Sequence, residues 1–224
     1  VTNRPLLLVQ IANAVGLLAM IMRGTFNYYY CQYNLGSLEV MSVLSLLGTV
    51  VGIPGCLSFV ALSKRVDKKK VIIFFSGLYI VACLVQYFAG WGNLILIYTC
   101  STIASFAVAG FNVAVMAMMS DTIEYGEWKT GQRNEEGMIT STRCFVTKLV
   151  MAVSGVVVAF IIGIFGYTPG AAQTAQTLSA FHTMMTLVCA GTMLLGTIPL
   201  FFYELSETRL AEIMEELKAR KAGK

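Results

Sequence analysis

Six apolar runs, at about 5–31, 38–62, 71–90, 93–119, 138–166 and 179–203, leave this chain few ways to fold. Each is long enough to cross roughly 30 Å of hydrocarbon, which takes about twenty helical residues. The runs are continuously apolar and do not alternate with period two. Backbone groups in lipid must be satisfied internally, so helices are meant and not a barrel. Composition agrees: 57% of residues are hydrophobic and 12% charged, against about a quarter charged in soluble domains. The chain reads as an all-α transmembrane six-helix bundle over 1–203, with a tail at 204–224.

The sixteen Lys and Arg residues orient the bundle. Apart from Arg23, Arg143 and Lys148, all of them fall on one side of a six-span zigzag: at Arg4, in the turn Lys64–Lys70, at Lys129 and Arg133, and in the tail. The opposite connections, around 31–37, 90–93 and 167–178, contain no Lys or Arg. The positive-inside rule then puts both termini in the cytoplasm, and the chain is expected as a multi-pass protein of a cell (inner) membrane, in contact with lipid. Basic residues beside spans are topology determinants, so nucleic acid is not an expected partner. The cysteines at 31, 56, 83, 100, 144 and 189 lie one per span, with no CxxC pair, and read as small buried apolar residues without disulfide or metal. No HExxH, GxSxG or P-loop pattern is present, so no enzyme is expected. The chain starts at Val1 without Met and its first span opens at once at Pro5, which reads as a piece of something longer.

Within the spans a few polar residues need a reason. Arg23 lies about 10 Å below Tyr30 by helical rise, and either snorkels outward or faces the interior. Tyr28, Tyr29, Tyr30 and Tyr33 fall where an aromatic belt is expected. Gly48 and Gly52, followed by Pro54, make a close-packing or hinge segment, and Asn112 is a candidate cavity residue. His182 reads as an interfacial side chain rather than a proton relay. In the tail, Leu210, Ile213, Met214 and Leu217 form one apolar stripe on a charged helix.

The most informative stretch runs from Asp121 to Lys148: a charged loop of about seventeen residues that leads into an apolar helix carrying Arg143 and Lys148. Lys148 is ten residues into that span, about 15 Å deep at the helical rise. An ammonium there costs at least about 2.5–3.5 kcal/mol unless it meets water or a counter-charge. Ser141 shares its face, Arg143 and Thr147 share another, and Gly155, Ala159 and Gly163 form a small-residue ladder for tight packing. The twelve Asp and Glu residues all lie in loops, at span ends or in the tail. Either a partner for Lys148 belongs to another chain segment, or Lys148 lines an aqueous cavity.

The pattern NRPLL, RGT…YYYCQYNLG, KRVDKKK and, above all, DTIEYGEWKTGQR followed by STRCFVTK resembles the C-terminal half of the glycoside–pentoside–hexuronide:cation symporters, the melibiose-permease-like branch of the major facilitator fold. The resemblance covers nearly the whole chain. It implies helices seven to twelve of a twelve-helix sugar transporter working by alternating access, with sugar held between two halves. The co-transported Na⁺ or H⁺ would be coordinated mainly by aspartates of the N-terminal half, with Lys148 as the coupling residue. Arg143, Ser141, Asn112, Arg23 and Tyr28 would line the sugar cavity, and Asp121, Glu124, Tyr125, Glu127 and Arg133 would form a cytoplasmic gate pairing with loops of the other half. Arg143 departs from the smaller or neutral polar residue common at that place, which points to an anionic sugar such as a hexuronide. The alternative reading is a stand-alone six-span protein, acting as a homodimeric half-transporter or a non-transporting partner.

Overall fold

The computed structural model describes residues 3–131, 135–205 and 207–222. Helix α1 (Arg4–Tyr29) continues into a π-helical turn at Tyr30–Asn34; α2 spans Leu38–Ser63, α3 Lys68–Ala89, α4 Leu94–Thr130 and α5 Glu135–Ile164. Helix α6 (Ala175–Thr183) joins α7 (Cys189–Phe201) through a second π-helical turn at Met184–Val188, and α8 covers Glu207–Ala222. Six segments, the α6–α7 pair counting as one, are long and apolar enough to cross a membrane. No strand occurs among the described residues.

Local chemistry sets the ends. The Asn3 side chain accepts from the Leu6 amide and Pro5 occupies the first turn of α1, where its missing N–H is not needed. Asn93 caps α4 and Thr174 caps α6 in the same way. Between the caps, the buried apolar residues and glycine of α1, Val9, Ala12, Gly16, Ala19, Met22 and Phe26, recur at three- and four-residue steps and form one stripe, with Gln10 and Asn13 buried beside it.

Helix α4 lies at the centre, packed against both α2 and α3, while α1 packs against α7, α5 and α4. Close approach depends on glycine: a Cβ on Gly55 of α2 would stand 2.6 Å from the Phe106 carbonyl oxygen of α4, and one on Gly16 of α1 would stand 2.7 Å from the Phe111 ring. By contrast α5 shows a single buried edge, with Ile139, Ser154 and Val158 on it. Its small-residue ladder, expected to pack tightly, faces away: a Cβ on Gly155 or Gly163 would meet nothing within 4 Å.

Two further expectations change. The charged stretch does not loop out at Asp121, because α4 stays helical to Thr130 and stops at Gly131, whose φ of +73° favours glycine. The reason is local: Glu124, Glu127 and Lys129 are helix formers in water, and Thr130 Oγ1 donates to the Gly126 carbonyl within the last turn. His182, expected as an interfacial side chain, turns into the bundle. It is buried between Tyr30, Tyr87 and Trp91, at 5.4 to 5.7 Å between ring centroids, with Nε2 at 3.1 Å from the Tyr87 carbonyl oxygen. Aromatic packing supplies more burial there than a membrane surface would.

Candidate functional site

A cavity of about 450 Å³ opens between α1, α2 and α4. Arg23, from α1, forms part of its wall, and Asn112 of α4 lines it as well. Helix α2 contributes Ser45, Gly48, Thr49 and Gly52, which share one face by their three- and four-residue spacing. Helix α4 adds Ser101 and Ser105, and Tyr79 of α3 closes the back. This is the size range of small-molecule sites, with polar groups set in an apolar wall.

The Arg23 guanidinium does not snorkel. One terminal nitrogen donates to Cys83 Sγ and to the Met185 carbonyl oxygen, both at 3.1 Å; the other donates to Gln86 Oε1 at 2.9 Å and Ser101 Oγ at 3.5 Å. Its carbon stands 5.7 Å from the centre of the Tyr79 ring. Met185 belongs to the second π-helical turn, whose irregular ladder leaves carbonyls open to an outside donor. The hydroxyls of Ser45, Thr49 and Ser105 each donate to a carbonyl four residues earlier, so the lone pairs of their oxygens are what they offer the cavity. Asn112 Nδ2 donates to the Val108 carbonyl at 3.0 Å, which orients the amide.

Of the sequence candidates, Arg23 and Asn112 come together here, and Tyr28, Arg143, Ser141 and Lys148 do not. Tyr28 is exposed and packs edge-on against Tyr29. Lys148 and Ser141 lie on the exposed face of α5, and Lys148 makes no hydrogen bond or ion pair among the described residues. Arg143 is half-buried, nearer the packed edge of the same helix, four residues from buried Ile139. Sequence reasoning missed Ser45, Thr49 and Tyr79. The shared face of Ser45, Gly48, Thr49 and Gly52 was the signal available for the first two.

At the basic end, Asp121 accepts from Lys68 Nζ through both oxygens, at 2.9 and 2.8 Å. The expected gate thus has a partner inside the chain. Asn3 Nδ2 donates to the Thr122 carbonyl, and Lys69 Nζ donates to the carbonyls of Phe201 and Tyr203, which ties α1, α3, α4 and α7 together at this level. Tyr125 packs on Trp128, whose indole N–H donates to Glu216 of α8 at 2.7 Å and whose ring lies under Arg209. The Glu212 carboxylate at 2.7 Å holds the Arg209 guanidinium charged by raising its pKa. Glu124 and Glu127 are half-buried on the same stretch of α4, and Arg133 lies outside the described residues. At the other end, the Tyr33 and Tyr167 hydroxyls meet at 2.9 Å, and this bond pushes the Tyr167 hydroxyl up to about 12.

Residues 1–207 match the profile of the family described as MFS/sugar transport protein. Among similar proteins, the "Glucuronide carrier protein homolog" of Escherichia coli (strain K12) is 30% identical over 98% of this chain and 48% of its own length. "Uncharacterized symporter YjmB" of Bacillus subtilis (strain 168) is 29% identical over 97% of this chain and 47% of its own. The "Isoprimeverose transporter" of Lactiplantibacillus pentosus is 29% identical over 92% and 43% respectively. The chain thus spans about half the length of the curated relatives it matches.

Proposed function

This chain belongs to the MFS/sugar transport protein family, and on that premise we propose that it is the C-terminal six-helix half of a cation-coupled sugar symporter. The observation that carries the reading is the cavity of about 450 Å³ between α1, α2 and α4, with hydroxyl and amide groups set in an apolar wall at membrane depth. Sugar hydroxyls need such acceptors, and a lipid-facing surface has no use for them. The names carried by relatives, glucuronide carrier and isoprimeverose transporter among them, fit the same substrate class.

In this reading an N-terminal six-helix half covers the exposed face of α5, and rocking of the two halves exposes the cavity alternately to either side. Lys148 then meets carboxylates of that half, and its charge couples Na⁺ or H⁺ occupancy to sugar occupancy. Arg143 and Ser141 reach the sugar from the same helix. Asp121, Glu124, Tyr125, Glu127 and Arg133 act at the cytoplasmic gate, with both ends of this chain on the cytoplasmic side of the cell membrane.

The test is uptake of labelled sugars by the complete transporter in proteoliposomes, with an imposed Na⁺ gradient, an imposed proton gradient, or neither. Accumulation driven by one of the gradients is the expected result. Uptake that ignores both gradients overturns the coupling, and no uptake of any sugar overturns the sugar reading.

A further inference from the structure

Arg23 is a cation surrounded by neutral groups. Its acceptors are a thiol, a backbone carbonyl, an amide oxygen and a hydroxyl, and it makes no ion pair among the described residues. Hydrogen bonds to neutral acceptors satisfy its donors without cancelling its charge, and an uncompensated charge inside a membrane bundle is costly. No acid of this chain lies deep in a span to answer it: the acids are confined to loops, span ends, the charged extension of α4 and the tail. The cost is tolerable if an anion arrives from outside the chain.

The geometry around Arg23 is fitted to that role. Its bond to Ser101 is long, at 3.5 Å, and is the one most readily given up to a charged acceptor. The Tyr79 hydroxyl, on an almost fully buried residue that walls the same cavity, sits beside the Arg23 guanidinium and the Cys83 thiol, where it can turn to donate to an incoming anion. In the same cavity, the oxygens of Ser45, Thr49 and Ser105 present lone pairs, which suit hydroxyl donors and repel an oxyanion. The cavity therefore offers a cation to a negative group and lone pairs to a polyol.

We propose that Arg23, assisted by the Tyr79 hydroxyl, anchors the acidic group of the transported sugar, so that the substrate is a sugar bearing a carboxylate or a sulfonate. This rests on the sugar-transport reading and adds the charge of the substrate and the residues that read it. Arg23 takes the place that Arg143 was expected to fill, because Arg23 and not Arg143 walls the cavity.

Equilibrium binding of methyl glucuronide, a 6-sulfonated methyl glucoside and neutral methyl glucoside to the purified complete transporter tests this. The expected result is that one acidic sugar binds at least about tenfold more tightly than the neutral one, a gap worth about 1.4 kcal/mol. Arg23→Gln closes the gap, and any neutral-sugar binding it retains, weakened or not, shows that the variant is folded. Which acid wins separates carboxylate from sulfonate. A wild-type protein with no preference for either acid overturns the proposal and leaves the sugar reading standing, as does a gap that survives Arg23→Gln. If Arg23→Gln binds nothing, Arg23→Lys decides. A retained gap supports an anion anchor, whereas neutral binding without a gap, or loss of all binding, reduces Arg23 to a structural tie and overturns the proposal. Failure of the wild type to bind any of the three removes the sugar reading along with it.

Discussion

Lys68 holds Asp121 through both carboxylate oxygens, at 2.9 and 2.8 Å, and so ties the first turn of α3 to the point where α4 passes from apolar to charged sequence. Both side chains are mostly buried, at 21% and 14% exposure, so water screens the pair less than it would at a surface. Asp121→Asn is expected to lower stability by about 1.5–3 kcal/mol, the range for a hydrogen bond to a charged group. Thermal unfolding in detergent, run as a double-mutant cycle with Lys68→Gln, measures it. Additive effects of the two substitutions would show that the contact contributes little.

Gly55 and Gly52 lie on the same helix and should respond oppositely to alanine. A Cβ on Gly55 would stand 2.6 Å from a backbone oxygen of α4, whereas one on Gly52 would find Ala109 Cβ at a comfortable 3.8 Å. Gly55→Ala is expected to destabilise by about 1–3 kcal/mol, because two helix backbones must move apart. Gly52→Ala is expected to be neutral or slightly stabilising, by up to about 1 kcal/mol, since alanine restricts the unfolded chain. Unfolding of both variants in parallel decides between this and a general intolerance of α2 to larger residues.

Lys148 stands on the exposed face of α5, so Lys148→Leu should leave the stability of this bundle within about 0.5 kcal/mol of wild type. In the complete transporter the same substitution should abolish the dependence of sugar uptake on the driving cation. Uptake that keeps its full cation dependence in Lys148→Leu takes the coupling role away from this residue.

The six spans and their apolar character follow from run length, because a helix needs a fixed number of residues to cross hydrocarbon, and their presence could be read without any contact. Arg23 shows where that reading stops. Helical rise placed it deep in a span, but whether it turned to the surface or the interior depended on Cys83, Gln86 and Met185, which are 60, 63 and 162 residues away in sequence. The burial of His182 was out of reach for the same reason, since Tyr30 and the pair Tyr87 and Trp91 converge on it from two distant parts of the chain. The small-residue ladder of α5 signals a packing face by its spacing, and among the described residues a Cβ on Gly155 or Gly163 would meet nothing within 4 Å.

The sequence by itself determined that the chain is a bundle of membrane-crossing helices, which end is basic, and that no acid lies deep in a span to pair with its cations. These are properties of composition and periodicity, fixed by the thickness of a bilayer and the cost of charge within it. Only the tertiary structure decided which polar residues share a cavity. It put Arg23, Tyr79, Ser45, Thr49 and Asn112 around one space and left Lys148, Arg143 and Ser141 on another helix apart from it. That choice rests on how closely α2 approaches α4, through Gly48, Gly52 and Gly55, and on a π-helical turn that presents a carbonyl to Arg23. Long-range packing of this kind has no periodic signature along the chain.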